Sequence, residues 1–189
     1  MWHQSGSVCK RCRLFAILLI VVFSPILAIL TVLVFFDIGH PFFMQTRVGR
    51  YQAKFTLIKF RTMHVGTASM ATHFVDPASV TPFGGFLRKT KLDELPQLLN
   101  VLRGEMSLVG PRPSLPCQSE LIEFRQQRNV FSVRPGITGM AQIKGVDMSS
   151  PKLLAEVDAQ MISEISVFNY FKYIYLTICG RGYGDRVKN

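Results

Sequence analysis

Apolar and polar positions divide this chain into one long apolar block and a series of shorter patterned segments. Leu14 to Phe36, "LFAILLIVVFSPILAILTVLVFF", carries no charged residue. It is long enough for the roughly 20 residues a bilayer crossing requires. "DIGHPFFMQTRVGR" follows as a loop and a short strand, and "KFTLIKFRTM", residues 54–63, alternates partly and predicts a second strand. Residues 64–84 mix small residues, glycine and proline and predict a long loop with one helical turn at most. In "LDELPQLLNVLRG", Leu92, Leu95, Leu98, Leu99 and Leu102 recur at helical spacing, and Gly104 is a natural end. Residues 114–131 predict a helix, and "VRPGITGMAQIKG" predicts turns with a short strand. "SPKLLAEVDAQMISEIS" predicts a helix with Ser150 as N-cap and Pro151 at its first position. "VFNYFKYIYLTI", residues 167–178, is apolar and aromatic and predicts a helix lying at a membrane interface. The basic tail after it reads as loose. The class is α/β, mostly α with a small β element.

The flanks of the apolar block complicate a simple crossing. Lys10, Arg11 and Arg13 precede it, and Arg47, Arg50 and Lys54 follow closely, so positive charge marks both ends for the same side. Ser24-Pro25 lies near its middle, where Pro25 removes a backbone donor and disfavours helical geometry at Ser24. Two short helices joined by a bend would resolve the conflict, with the Ser24 hydroxyl serving a freed backbone group. An ordinary kinked span is the competing reading. A signal peptide fits poorly, because the run is too long and ends Val34-Phe35-Phe36-Asp37 without small residues. The expected organisation is residues 1–36 as basic flank and membrane element, and 37–189 as a catalytic domain.

Charge narrows the partner. The 189 residues carry 22 Lys and Arg against 12 Asp and Glu, a formal +10, which favours phospholipid headgroups, a phosphorylated substrate or nucleic acid. Aromatic residues cluster in membrane-like segments and are not interleaved with the basic ones, so no nucleic-acid partner is expected. Cys9 and Cys12 have CxxC spacing, but Cys117 and Cys179 supply no second pair, so reduced thiols are expected and not a zinc site or disulfide framework.

In this acid-poor chain Asp93 and Glu94 stand side by side. They have a local explanation: Thr90-Lys91-Leu92-Asp93 matches a capping box, or Asp93 is itself an N-cap with Pro96 in the first turn. They also have a chemical one. Arg88, Lys89, Lys91, Arg103 and Arg112 lie nearby in sequence, and Lys59, Arg61 and Arg134 are further candidates. Arginine pairs bidentately with phosphate and lysine acts as a point charge. Beside such cations one carboxylate can attack phosphorus while a second holds Mg²⁺. Neither GxxxxGK[ST] nor GxGxxG occurs, so those loops do not hold a nucleotide here.

"KFRTM", "TKLDELPQLLNVLRGEMSLVGPRP" and "VRPGITGMAQIKG" together resemble the bacterial sugar transferase family, the small monotopic phosphoglycosyl transferases. The resemblance covers nearly the whole chain. It implies transfer of a sugar phosphate from a UDP-sugar to undecaprenyl phosphate in the bilayer, on the cytoplasmic face of the bacterial inner membrane. Asp93 would attack the β-phosphate and expel UMP, and the phosphosugar-aspartate would then react with the lipid phosphate, a ping-pong route. Asp93 and Glu94 would be the metal site, with Glu94 helping to hold Mg²⁺. Lys59, Arg61, Arg88, Arg112 and Arg134 would bind substrate phosphate. Pro111, Pro113, Gln142 and Lys144 would belong to the nucleotide and sugar region. The membrane segment would be a re-entrant helix broken at Ser24-Pro25.

The chain departs from the pattern in three regions. Many members carry Asn-Gly-Arg where this chain has Lys144-Gly145-Val146, which leaves Lys144 to supply charge. Met161 and Glu164 stand where an aromatic and an Asn are common, and Tyr170 where an Asp is. A scaffold that kept the fold but lost the activity is the alternative to an enzyme; the intact dyad argues against it. The sequence names neither the sugar nor the pathway, and it leaves a homo-oligomer open.

Overall fold

The computed structural model describes residues 10–66 and 77–180, with side chains from Leu14 onward. The Cys9-Cys12 pair, the flanking basic side chains before Leu14, the middle of the 64–84 loop and the basic tail fall outside the described residues. The architecture is mostly helical with two small sheets, as the patterning predicts.

Helix α1 runs from Lys10 to Ile38. The expected pair of short helices is one helix here, continuous through Ser24-Pro25. The physical reason is local. Pro25 cannot donate to the carbonyl four residues back, Val21, and the Ser24 hydroxyl donates to that same oxygen at 2.8 Å. The buried and half-buried positions of α1, among them Ala16, Ile20, Phe23, Leu27, Leu30, Val34 and Ile38, form a single stripe at helical period. Leu18, Val22, Ile29 and Phe36 face outward. The stripe meets the rest of the molecule at both ends. Ala16 packs with Leu57, Leu98, Val101, Met106 and Leu108, and Leu30 and Val34 pack with Phe60 and Leu87.

Strands β1 (Phe42–Val48) and β2 (Lys54–Phe60) form an antiparallel hairpin, with Phe42 opposite Phe60 and Val48 opposite Lys54. Its turn passes through Arg50–Gln52, where Tyr51 and Gln52 adopt left-handed backbone at φ 55° and 59°. Helix α2 (Pro82–Thr90) was not expected. Thr81 caps it by accepting the Gly84 amide at 2.9 Å, and it also donates to Asp37 at the end of α1 at 2.7 Å.

The leucine-rich segment splits into a 3₁₀ turn, Leu92–Gln97, and helix α3 (Leu98–Arg103), which ends at Gly104 as expected. Strand β3 (Ser107–Val109) then pairs in parallel with β4 (Gly136–Thr138). Between them lie α4 (Ser119–Gln127) and a 3₁₀ turn, Val130–Ser132; α5 (Met140–Lys144), also unexpected, follows β4. Helices α6 (Pro151–Ser163) and α7 (Val167–Ile178) lie where the periodicity places them. Ser150 occupies the predicted N-cap position of α6 without a side-chain capping bond. Val109, Leu121, Met140, Leu154, Val157, Met161 and Tyr173 build the core these helices share. Val167, Phe168, Phe171, Tyr175 and Ile178 form an exposed apolar face on α7.

Candidate active site

Asp93 and Glu94 sit inside the 3₁₀ turn that joins α2 to α3, and both are buried, at 2% and 7% exposure. Lys91, in left-handed backbone at φ 60°, ends α2 and starts this turn. Pro96 within the turn has no amide to extend an α-helix backwards. Neither local capping explanation applies. Thr90 belongs to the last turn of α2, where its hydroxyl donates to Phe86 O at 2.9 Å. Asp93 lies within the 3₁₀ turn and does not precede it. Two adjacent carboxylates buried in a basic protein need charge compensation, since desolvating an anion is costly unless it is paired.

For Glu94 that compensation is carried by the loop after β3. Arg112 Nη1 donates to Glu94 Oε1 at 3.0 Å, with side-chain exposures of 17% and 8%. The loop is fixed at four successive carbonyls. Pro111 O accepts from the Gly136 amide at 2.9 Å, and Arg112 O accepts from Arg125 Nη1 at 2.8 Å. Pro113 O accepts from Arg47 Nη1 at 3.1 Å, and Ser114 O accepts from the Val48 amide at 2.9 Å. Arg125 is in turn held by Asp158, with Nη2 and Nε donating to Oδ2 at 2.7 and 3.0 Å. Burial raises the Asp158 carboxyl above its usual range, and the Arg125 guanidinium offsets only part of that rise.

β2 packs against the dyad's turn and brings Lys59, 7% exposed, into this half of the molecule. Lys59 Nζ and Arg61 Cζ both lie 5.5 Å from the Phe43 ring centroid, within cation–π range. Arg88 is buried at 9%, and its Nε donates to Thr62 Oγ1 at 2.8 Å. The other predicted residues are oriented differently. Arg134 Nε donates to Gly104 O at 2.8 Å, which ties the segment leading into β4 to the end of α3. Gln142 Nε2 donates to Ile137 O at 2.8 Å, and its Oε1 is buried without a partner. Lys144 is exposed and reaches Gln160 on α6 at 3.4 Å, so its described bond runs to α6 and not to the dyad. A small hollow of about 10 Å³ borders Pro111, Arg112 and Pro113 with Val48, Phe131 and Pro135. Substrate pockets usually run to roughly 300–1,000 Å³, so this hollow is no substrate site by itself.

Among the described residues no group of three or more His, Cys, Asp and Glu gathers as a metal site. Mg²⁺ does not need one. It takes one or two carboxylates and completes its shell with waters and substrate phosphates, so Asp93 and Glu94 have the donor chemistry to hold it.

Sequence reasoning missed Arg47, Arg125 and Asp158. A signal for the last two existed: each is a charge on an otherwise apolar helical stripe, Arg125 one turn after Leu121 and Asp158 between Leu154 and Met161.

A buried carboxylate bonded to a clamped arginine, with a second carboxylate buried next to it in sequence, in a domain packed along an exposed apolar helix, is the make-up of an enzyme site. The comparisons agree with that class. Residues 6–181 match the profile of the bacterial sugar transferases, and the chain belongs to that family. It is 42% identical over 164 residues to the "Uncharacterized sugar transferase EpsL" of Bacillus subtilis, covering 86% of this chain and 81% of that one. It is 35% identical over 175 residues to the "UDP-glucose:undecaprenyl-phosphate glucose-1-phosphate transferase" of Caulobacter vibrioides, covering 86% and 65%. It is 35% identical over 181 residues to the "UDP-galactose-lipid carrier transferase" of Erwinia amylovora, covering 86% of this chain and 38% of that longer relative. The chain thus spans less than two-thirds of the last two.

Proposed function

We propose that this protein transfers a sugar 1-phosphate from a UDP-sugar to undecaprenyl phosphate and releases UMP. The Glu94–Arg112 ion pair, next in sequence to buried Asp93, carries the reading, because it supports a site in which a fixed cation accompanies the acidic pair. The names of the Caulobacter and Erwinia relatives support the substrate class.

An oxygen of Asp93 attacks the β-phosphorus of the donor. The bond from that phosphorus to the bridging oxygen breaks, and UMP leaves with the electron pair. A phosphate oxygen of the lipid then attacks the phosphosugar-aspartate, the Asp93–phosphorus bond breaks, and the sugar is left on a lipid diphosphate. Arg112, Lys59 and Arg88 bind and orient the phosphoryl oxygens, in the way preorganised cations stabilise phosphoryl transfer. Bound Mg²⁺ would neutralise charge on the diphosphate as the leaving group departs.

The membrane element, residues 1–36, holds this domain at one face of the bilayer. Ala16 and Val34 both pack on the same domain and stand about 27 Å apart along α1, at about 1.5 Å per residue. That is close to the roughly 30 Å of hydrocarbon in a bilayer. A perpendicular crossing would draw the polar domain through the hydrocarbon, so α1, continuous as it is, does not cross but lies with its exposed apolar face in one leaflet. Lys10, Arg11 and Arg13 at the start of α1, and Arg47, Arg50 and Lys54 after it, favour the cytoplasmic side for both ends.

The test is UMP release from a panel of UDP-sugars by detergent-purified protein with Mg²⁺ and undecaprenyl phosphate. Lipid-dependent release, lost in Asp93→Asn with a phosphosugar adduct visible by mass only when Asp93 is present, is the expected result. Release that survives Asp93→Asn refutes the nucleophile. No release from any donor favours a scaffold.

A further inference from the structure

The buried pair Arg125–Asp158 joins α4 to α6, and both side chains are 1% exposed. Stability alone does not account for it. Burying two charges costs several kcal/mol per ion, and well-packed apolar residues of similar volume often serve an interior as well or better. The surroundings are apolar: Leu121, Leu154, Val157 and Met161 already pack there. A guanidinium adds one thing an apolar side chain cannot, a rigid fork of donors aimed in several directions. Here two donors, Nε and Nη2, go to Asp158, and the third, Nη1, goes to the main-chain oxygen of Arg112.

Arg112 sits between Pro111 and Pro113, neither of which has an amide. The loop therefore has few main-chain donors of its own and is held through its carbonyls. The neighbouring carbonyls are taken by main-chain amides or by Arg47, and the one on Arg112 itself is taken by Arg125.

We propose that Arg125, oriented by Asp158, is a positioning residue that sets the place of Arg112 beside Glu94 and so determines binding of the donor's diphosphate. The chain of contacts is continuous: Asp158 to Arg125, Arg125 to the Arg112 carbonyl, and the Arg112 guanidinium to Glu94, next to Asp93. The proposal rests on the transferase reading for its kinetic part and on the loop geometry alone for the rest.

The discriminating variant replaces both charges together, Arg125→Met with Asp158→Leu. This removes the buried ion pair without leaving an unpaired charge, so the fold is retained while the Arg112 carbonyl loses its donor. A hydrogen bond from a charged donor is worth roughly 1.5–3 kcal/mol, so the expected result is a rise in KM for the UDP-sugar of about tenfold or more, with KM for the lipid within about twofold. Hydrogen exchange supplies a readout that needs no activity. The amides of Gly136 and Val48, which bond Pro111 O and Ser114 O on either side of Arg112, should exchange faster in the double variant. Wild-type melting with wild-type KM and unchanged exchange overturns the proposal, because the pair is then structural only. Should the double variant not fold, Arg125→Lys serves instead: it keeps the charge for Asp158 but not the third directed donor, and the same KM and exchange shifts are expected. An inactive wild type counts against the transferase reading, and the exchange measurement still decides this one.

Discussion

Replacing Gly136 with alanine should damage stability and site together. A Cβ at Gly136 would lie 2.0 Å from the Gly110 nitrogen and 2.6 Å from the Gly110 Cα. These are main-chain atoms with no rotamer to change, so β3 and β4 must separate by more than about 1 Å to reach ordinary contact near 3.4 Å. Two bonds at this crossing, Gly110 N–H to Thr138 O and Gly136 N–H to Pro111 O, are both 2.9 Å long. They would stretch past useful length, a loss of about 1 kcal/mol each. Overpacking adds roughly 1–3 kcal/mol. The sum, about 3–5 kcal/mol, corresponds to a melting shift of roughly 6–20 °C for a chain of this size. The same separation moves Pro111 and therefore Arg112, so donor turnover should fall with it. Thermal unfolding in detergent, followed by far-UV circular dichroism, measures the first effect and UMP release the second. A variant melting within about 2 °C of the wild type would refute the reasoning, for the strands would then have room that the close approach denies.

Gly85 offers the opposite case: it lies inside α2, and a Cβ there meets nothing within 4 Å. Gly85→Ala should raise stability by roughly 0.5–1 kcal/mol, seen as a melting increase of about 1–4 °C. Asn100, fully buried, accepts the Ile58 amide at 3.1 Å and donates to Thr56 O at 2.7 Å, which clips α3 to β2. Asn100→Ala leaves both backbone groups without that partner and should cost about 2–5 kcal/mol, read in the same melt. Phe168→Glu with Phe171→Glu alters only the exposed face of α7. It should leave melting in detergent nearly unchanged while reducing co-flotation with liposomes of phosphatidylglycerol and phosphatidylethanolamine.

The elements legible in the sequence are those whose own side chains decide them. β2 alternates, α7 is apolar with a Ser166 cap, and α6 has a stripe of Leu154, Val157 and Met161. What stayed hidden depends on distant partners. α2 reads as loop because of Gly84 and Gly85, yet Gly84 is there because a Cβ would strike Thr62 O at 2.2 Å. Only the Thr81-Pro82 start carried a helix signal. α5, five residues long, is too short to show a period. Asp93 and Glu94 were evident as an acidic pair among cations, and the Arg112 contact to Glu94 follows the expected association. Arg134 and Lys144 were equally plausible cations by charge, but charge does not encode direction: one turns to Gly104 O and the other to Gln160. A break at Ser24-Pro25 was expected and the helix is continuous there instead, because the Ser24 hydroxyl takes the Val21 O that Pro25 cannot serve.

The stripe from Ala16 to Ile38 fastens α1 to the domain through side-chain packing along the helix, with Gly39, His40 and Pro41 the short remainder before β1. A globular head on a slack tether could tilt and reach for its lipid. This one has no such freedom, since helix and head turn together as one rigid piece. In a bilayer the carboxylates would then stand at a constant height, and an encounter with a lipid phosphate becomes a search in two dimensions, governed by how fast the two partners drift sideways in the same leaflet.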